Sequence, residues 1–217
     1  MTCVESVRIG VTMRVVQASG YVEHRDALAR DWTLFMRQAL PEAVWMPLPN
    51  AGRDVLRLVE AFGLTGIIFS GGNDLGDAPE RDETEQTLLR HCLDRDLPCL
   101  GVCRGLQLFQ AHFGGKVSPC PDGHVPARDH AVSVDALPGL PEPPAAVNSF
   151  HALGVTVADL AEGLVPFART PDGLVEGLVV PGKKAMAVQW HPERESPLTN
   201  FSRALVRSVF LEDHASA

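Results

Sequence analysis

The chain has 217 residues, 45% of them hydrophobic, and a formal net charge of −8 at pH 7. That length fits one α/β domain over 1–217 with a sizeable core, and no Pro- or Gly-rich linker divides it. The acidic balance argues against nucleic acid or an anionic membrane as partner, since phosphates are held by clustered Lys and Arg, and no apolar run approaches the ~20 residues of a membrane span.

Met1 to Gly10 lacks a basic segment followed by an apolar core, so no secretory signal is read there and a cytoplasmic location is expected. Arg8 to Val16 reads as a first strand, and His24 to Leu40 as a helix with Leu28, Trp32, Phe35 and Leu40 along one side. Val44 to Leu48 reads as a strand, Arg53 to Phe62 as a helix, Gly66 to Ser70 as a strand and Arg81 to Asp96 as a helix. Leu97 to Val102 is a brief buried strand after the turn signal Asp94-Arg95-Asp96. Arg104 to Phe113 is a helix, with Leu106, Phe109, Gln110 and Phe113 at helical spacing. Beyond Gly115 the pattern becomes strand-rich: Ala131 to Val134, Gly154 to Val157, Leu164 to Arg169, Leu174 to Val180 and Ala185 to Trp190. Residues 138–144 read as a surface loop, and Pro171-Asp172-Gly173 as a hairpin turn. A last helix runs from Thr199 to Leu211. This order predicts an α/β fold of three layers. A mainly parallel central sheet carries helices on both faces, with antiparallel strands added in the C-terminal half.

Chemistry concentrates at Gly101-Val102-Cys103-Arg104-Gly105, where a buried strand meets a helix. A nucleophile at such a joint is held on a tight turn, and small neighbours are needed because the two backbones come close. The first N–H groups of the helix offer an oxyanion donor and some positive dipole for a thiolate. By itself the pattern fits equally a buried cysteine at a close strand–helix contact. A second stretch, Gln189-Trp190-His191-Pro192-Glu193, shifts the balance. In extended chain His191 and Glu193 share a face, and a carboxylate beside an imidazole fixes its tautomer. Cys103, His191 and Glu193 therefore make a candidate nucleophile–base–orienter set. His151 is a competing base, ranked second for want of an adjacent carboxylate. Ligands of such sheets bind outside the carboxyl ends of the strands, where Cys103, His191 and the Ser70-Gly71-Gly72 turn can meet.

Gly-Val-Cys-Arg-Gly-Leu-Gln followed by Gln-Trp-His-Pro-Glu resembles the class I glutamine amidotransferases. Phe69-Ser70-Gly71-Gly72-Asn73-Asp74, Val147-Asn148-Ser149-Phe150-His151 and Asp172-Gly173-Leu174-Val175-Glu176 resemble their γ-glutamyl hydrolase branch, the peptidase C26-like proteins. The Ser-Gly-Gly-Asn-Asp-Leu-Gly run with Arg81-Asp82 is similar to a smaller group of stand-alone enzymes that includes γ-glutamyl-CDP-amidate hydrolases of surface-polysaccharide biosynthesis. The resemblance implies hydrolysis of a small-molecule γ-glutamyl amide through a γ-glutamyl thioester, without a cofactor. It implies oxyanion N–H groups from Gly72 and Arg104, and a glutamyl pocket that draws on Gln107, Asn148, Ser149, His151 and Asp74. Arg81 would pair with a phosphate on the leaving group. The alternative is a glutaminase subunit that hands ammonia to a separate synthetase partner; a non-catalytic protein on the same fold is disfavoured by the intact triad. Arg25 and Asp26, like Arg81 and Asp82, also fit solvated helix starts.

The five cysteines include no Cys-x-x-Cys pair, and the eight histidines no helical His-x-x-x-His pair, so neither a disulfide framework nor a metal site is expected. Cys3, Cys92, Cys99 and Cys120 read as core or surface thiols.

Overall fold

A computed structural model describes residues 6–120, 128–135, 137 and 139–211; Cys3 and the first residue of the 138–144 loop lie outside them. In chain order the elements begin with β1 (Arg8–Thr12), β2 (Arg14–Gln17), β3 (His24–Ala27), α1 (Asp31–Ala39) and β4 (Val44–Leu48). There follow α2 (Val55–Phe62), β5 (Gly66–Phe69), α3 (Pro79–Arg95), β6 (Cys99–Val102) and α4 (Arg104–His112). Short strands come next: β7 (Ser118–Pro119), β8 (His130–Ala131), β9 (Ser133–Val134), β10 (Ala146–Val147) and β11 (Leu153–Gly154). The last are β12 (Val165–Arg169), β13 (Val175–Val179), β14 (Ala185–Val188) and α5 (Asn200–Phe210).

An eight-stranded sheet has the order β4-β1-β5-β6-β14-β13-β12-β9. The pairs from β4 through β14 are parallel, and those beyond β14 antiparallel. This is the expected sheet, and its faces follow from the period of two along each strand. Ile9, Val11, Ile68, Leu100, Val102 and Val188 pack with Trp32, Phe35 and Met36 of α1 and Phe201, Leu205 and Val206 of α5. Ile67, Phe69, Cys99 and Ala187 pack on the other side with Val59 of α2, Leu88, Leu89 and Cys92 of α3, and Leu106 and Phe109 of α4. Cys92 and Cys99 are thus core residues. Burying both faces of a parallel sheet requires the near-continuous apolar strands seen here.

Four expected elements differ. The helix from His24 divides into β3 and α1, because His24–Ala27 pairs antiparallel with Arg14–Gln17 as a hairpin. Asp26 anchors that hairpin by accepting from the Asn50 backbone N–H (2.9 Å) and side-chain Nδ2 (2.6 Å), while Arg25 pairs with Glu23. The charged His24-Arg25-Asp26 run has no apolar face to bury, so local propensity gives way to pairing. The first strand accordingly breaks at Met13, and β2 leaves the main sheet. The strand expected over Ala131–Val134 becomes two, with Ala131 paired to Ala146 and Ser133 to Arg169. That expected over Gly154–Val157 is a two-residue strand and a 3-10 turn, Val157–Asp159, capped by Thr156. The Thr170–Gly173 turn forms as read: Gly173 has φ +90° and donates its N–H to the Thr170 carbonyl (3.0 Å).

Candidate active site

Cys103 caps the N-terminus of α4 with φ 55° and ψ −102°, a left-handed conformation that a side chain occupies only under constraint. The constraint is the close approach of β6 to α4. A Cβ on Gly101 would lie 2.7 Å from the Gly105 carbonyl carbon, and one on Gly105 would lie 2.6 Å from the Phe69 carbonyl oxygen. Both glycines are therefore needed, and the sequence reading of an elbow is met by its geometry. The Cys103 N–H is held by the Val188 carbonyl (2.8 Å), which fixes the turn to β14.

The partner histidine follows that same strand. Pro192–Arg194 forms a 3-10 turn instead of the extended continuation expected, yet His191 Nδ1 and Glu193 Oε1 still meet at 2.6 Å. His191 is 2% exposed and Glu193 7%. Burial pushes the imidazole pKa down, but Glu193 and Cys103 outweigh it and raise the value to about 9. Asn148 grips the His191 backbone from both sides: its Oδ1 accepts from the N–H (2.9 Å) and its Nδ2 donates to the carbonyl (2.8 Å). The side chain expected to bind substrate is thus engaged in placing the histidine. Gln189, which sequence reasoning missed, donates from Nε2 to Cys103 Sγ at 3.6 Å. The signal was present, because Gln189 lies two residues before His191 at the end of a strand and shares its face.

Arg81 corrects a second expectation. It is 0% exposed, and its guanidinium donates to the carbonyls of Ser70 (2.7 Å), Gly71 (3.2 Å) and Gly72 (2.7 Å), to Asn73 Oδ1 (3.1 Å) and to Glu85 (2.9 Å). Nothing of that fork remains for a phosphate. In a planar trans peptide the N–H points opposite its carbonyl. Carbonyls drawn toward Arg81 therefore turn the N–H groups of Gly71 and Gly72 away from it. The same turn lies against Cys103 and His191, since a Cβ on Gly71 would stand 2.8 Å from His191 Cε1 and 3.4 Å from Cys103 Cβ. Asn73 fastens it to the hairpin, accepting from the Val15 N–H (2.8 Å) and donating to the Val15 carbonyl (2.9 Å). The Arg104 side chain is also buried, paired with Asp82 and Glu85, and its backbone N–H is among the first of α4, which lack an intrahelical acceptor. Burial lowers the guanidinium pKa of Arg81 to about 10 and that of Arg104 to about 9, and both stay charged at neutral pH.

Around the thiol, Gln107 is buried and donates from Nε2 to the Leu153 carbonyl (3.1 Å). Ser149 is 1% exposed, and its hydroxyl has no hydrogen-bond partner among the described residues. Asp74 is exposed at the outer end of the glycine turn. His151, ranked second for lack of a carboxylate, does have one: its Nε2 stands 3.5 Å from Glu176 Oε1. His191, however, is the ring whose pKa Cys103 helps to raise. A cleft beside His191 and Gly71 is bordered by Arg14, Leu28, Trp32 and Arg194, with the Arg194 guanidinium 4.3 Å over the Phe150 ring.

The chain is similar to known proteins over most of its length. The chain is 29% identical over 198 residues to the gamma-glutamyl-CDP-amidate hydrolase of Campylobacter jejuni, covering 88% of this chain and 92% of that one. It is 31% identical over 161 residues to the gamma-glutamyl-gamma-aminobutyrate hydrolase of Escherichia coli O157:H7, covering 64% of this chain and 63% of the relative. The crystal structure of a glutamine amidotransferase from Thermotoga maritima superimposes with a TM-score of 0.62 at 16% identity, over 94% of this chain and 82% of that one, a likeness of fold. The family model of Peptidase C26 spans residues 8–193, from the first strand through Cys103 to Glu193, and the chain belongs to that family.

Proposed function

We propose that the protein hydrolyses γ-glutamyl amides through a thioester on Cys103. The observation that carries this is the nucleophile elbow, with φ 55° at Cys103, set beside a His191–Glu193 pair closed at 2.6 Å. At a pKa of about 9 His191 holds its proton at neutral pH, and the thiolate is the form of Cys103 that attacks. The thiolate attacks the γ-carbonyl carbon, and the oxyanion rests on the N–H groups of Gly72 and Arg104. His191 gives its proton to the departing nitrogen, the C–N bond breaks, and a γ-glutamyl thioester remains. Neutral His191 then takes a proton from water as it attacks the thioester, which releases glutamate and restores the thiolate. Gln189 steadies the thiolate, and Asn148 and Glu193 hold the imidazole. Ser149 and Asp74 are the side chains left to receive the glutamyl group, and Gln107 and His151 shape its wall through the Leu153 carbonyl.

The leaving group is read as anionic. Support comes from Arg14, exposed across the Gly72 turn, and from Arg194 at the same cleft, which together take the part first expected of Arg81. Turnover of a panel of γ-glutamyl amides by the purified chain, with and without phosphate on the leaving group and beside free glutamine, tests this. Fast release of glutamate from the anionic conjugates, and covalent labelling by a glutamine-like chloroketone that vanishes in Cys103→Ala, are expected. Equal labelling of Cys103→Ala overturns the nucleophile. Glutamine as best substrate, with turnover rising on addition of a synthetase, installs the glutaminase-subunit reading.

A further inference from the structure

Away from the triad, one nitrogen each of His130 and His151 and one carboxylate oxygen of Glu176 lie within 4.8 Å of one another. The three come from separate segments: β8, the stretch after β10, and β13. Glu176 is fully buried, and neither of its oxygens accepts a hydrogen bond of normal geometry among the described residues. Instead, Nε2 of His130 stands 3.2 Å from Oε1 and Nε2 of His151 stands 3.5 Å from the same atom. Ligands 2.0–2.1 Å from a tetrahedral zinc ion are separated by about 3.3 Å. The two His–Glu edges bracket that length.

The tautomer of His151 strengthens the point. Its Nδ1 faces the Leu153 carbonyl at 3.2 Å, and a carbonyl only accepts, so Nδ1 carries the proton. In the neutral ring Nε2 then presents a lone pair toward the carboxylate oxygen, so the pair is joined by a cation between them, a proton or a metal ion. A ring whose Nδ1–H is fixed by a backbone carbonyl while Nε2 points into an anionic cluster has the outer-shell arrangement of a metal-bound histidine. Cys120 lies on the Nδ1 side of His151, 3.5 Å away, which leaves it outside the ligand set gathered on the Nε2 side.

We propose that His130, His151 and Glu176 form a binding site for a divalent transition-metal ion of the zinc type, with two imidazoles, one carboxylate and a fourth position for water. The ion neutralises a buried carboxylate and ties two irregular segments to β13. It also steadies Leu153, whose carbonyl receives both His151 and Gln107. Residue spacing hid the site, because no two ligands share a helix or a short motif. The proposal is independent of the amidase reading.

Equilibrium dialysis against Zn(II), with metal analysis of the purified full chain, tests it alongside the visible spectrum of the Co(II)-loaded protein. Wild type and Cys103→Ala should each hold one equivalent and show the intense ligand-field absorption of a tetrahedral site. The Cys103→Ala protein excludes the rival pairing of Cys103 with His191. Glu176→Gln and His130→Ala should each weaken binding at least about 100-fold, since removing a ligand costs at least what losing an outer-shell partner does. His130→Ala carries the comparison if Glu176→Gln fails to fold. Absence of uptake by Cys103→Ala, or uptake by His130→Ala equal to wild type, overturns the site.

Discussion

Replacing Glu193 by glutamine removes a charge while keeping the shape of the side chain. In the wild type the imidazole of His191 moves from about 6.5 to about 9, with Glu193 and Cys103 outweighing the opposing effect of burial. A displacement of that size corresponds to a preference for the charged ring on the order of 3 kcal/mol. Without the carboxylate 2.6 Å away, burial keeps its full downward pull and only Cys103 opposes it. The alkaline limb of kcat/KM reports loss of the proton that His191 must give to the leaving nitrogen, so it should stand near pH 9 in the wild type. In Glu193→Gln it should fall by at least about one pH unit, with a plateau reduced by about 10- to 100-fold as the ring loses its orienter. Stability carries the same sign: the contribution of a raised histidine is complete below about pH 6.5 and is lost as pH rises through about 9. The assay is a pH series of kcat/KM with a γ-glutamyl anilide, together with urea unfolding across the same range. An alkaline limb that stays near 9 in Glu193→Gln refutes the pairing as the cause.

Arg81→Lys keeps the charge but loses the fork that gathers three carbonyls; it should lower kcat on every γ-glutamyl substrate alike. Arg81→Ala should cost about 3 kcal/mol in urea unfolding, since it takes from Glu85 one of its two buried arginines and leaves the turn carbonyls without their donors. A selective loss of phosphate-bearing substrates would return Arg81 to the leaving group. Asn148→Ala frees the His191 backbone and should cut kcat roughly 10-fold with little change in KM, the mark of placement over binding; a pure rise in KM contradicts this. Cys103→Gly should unfold at higher urea than Cys103→Ala by about 1 kcal/mol, because glycine takes the φ of 55° without strain. Equal midpoints would mean the elbow stores none.

What could be read from the chain in advance divides along a physical line. The parallel strands were legible because a strand buried on both faces, such as Gly66–Phe69 or Cys99–Val102, must be apolar throughout. The elbow was legible because two backbones in contact leave room only for Gly101 and Gly105. The hairpin at His24 was not, for its pairing rests on hydrogen bonds to Arg14–Gln17 and on Asn73 and Asn50, which lie far along the sequence. The split of Ala131–Val134 was hidden in the same way, by two partners from different parts of the chain.

Arg81 makes the limit sharpest. Its position beside the Ser70–Gly76 turn was read correctly, and its task was reversed, because proximity in sequence says nothing about which way a long side chain points. A guanidinium near a glycine turn can face outward to an anionic ligand or inward to the carbonyls of the turn. Inward, it meets Glu85 four residues on along α3 and three carbonyls that have no partner in the sheet. A fully buried arginine is tolerated only with its charge paired and its donors filled, and here both conditions hold. Two glycines in sequence bring no side chains of their own to fix the Gly71-Gly72 peptides. Arg81 provides that fixing from behind, and the N–H groups on the opposite side remain directed away from it, on the turn that packs against Cys103 and His191. The residue expected to recognise the substrate instead fixes the turn that packs against Cys103 and His191.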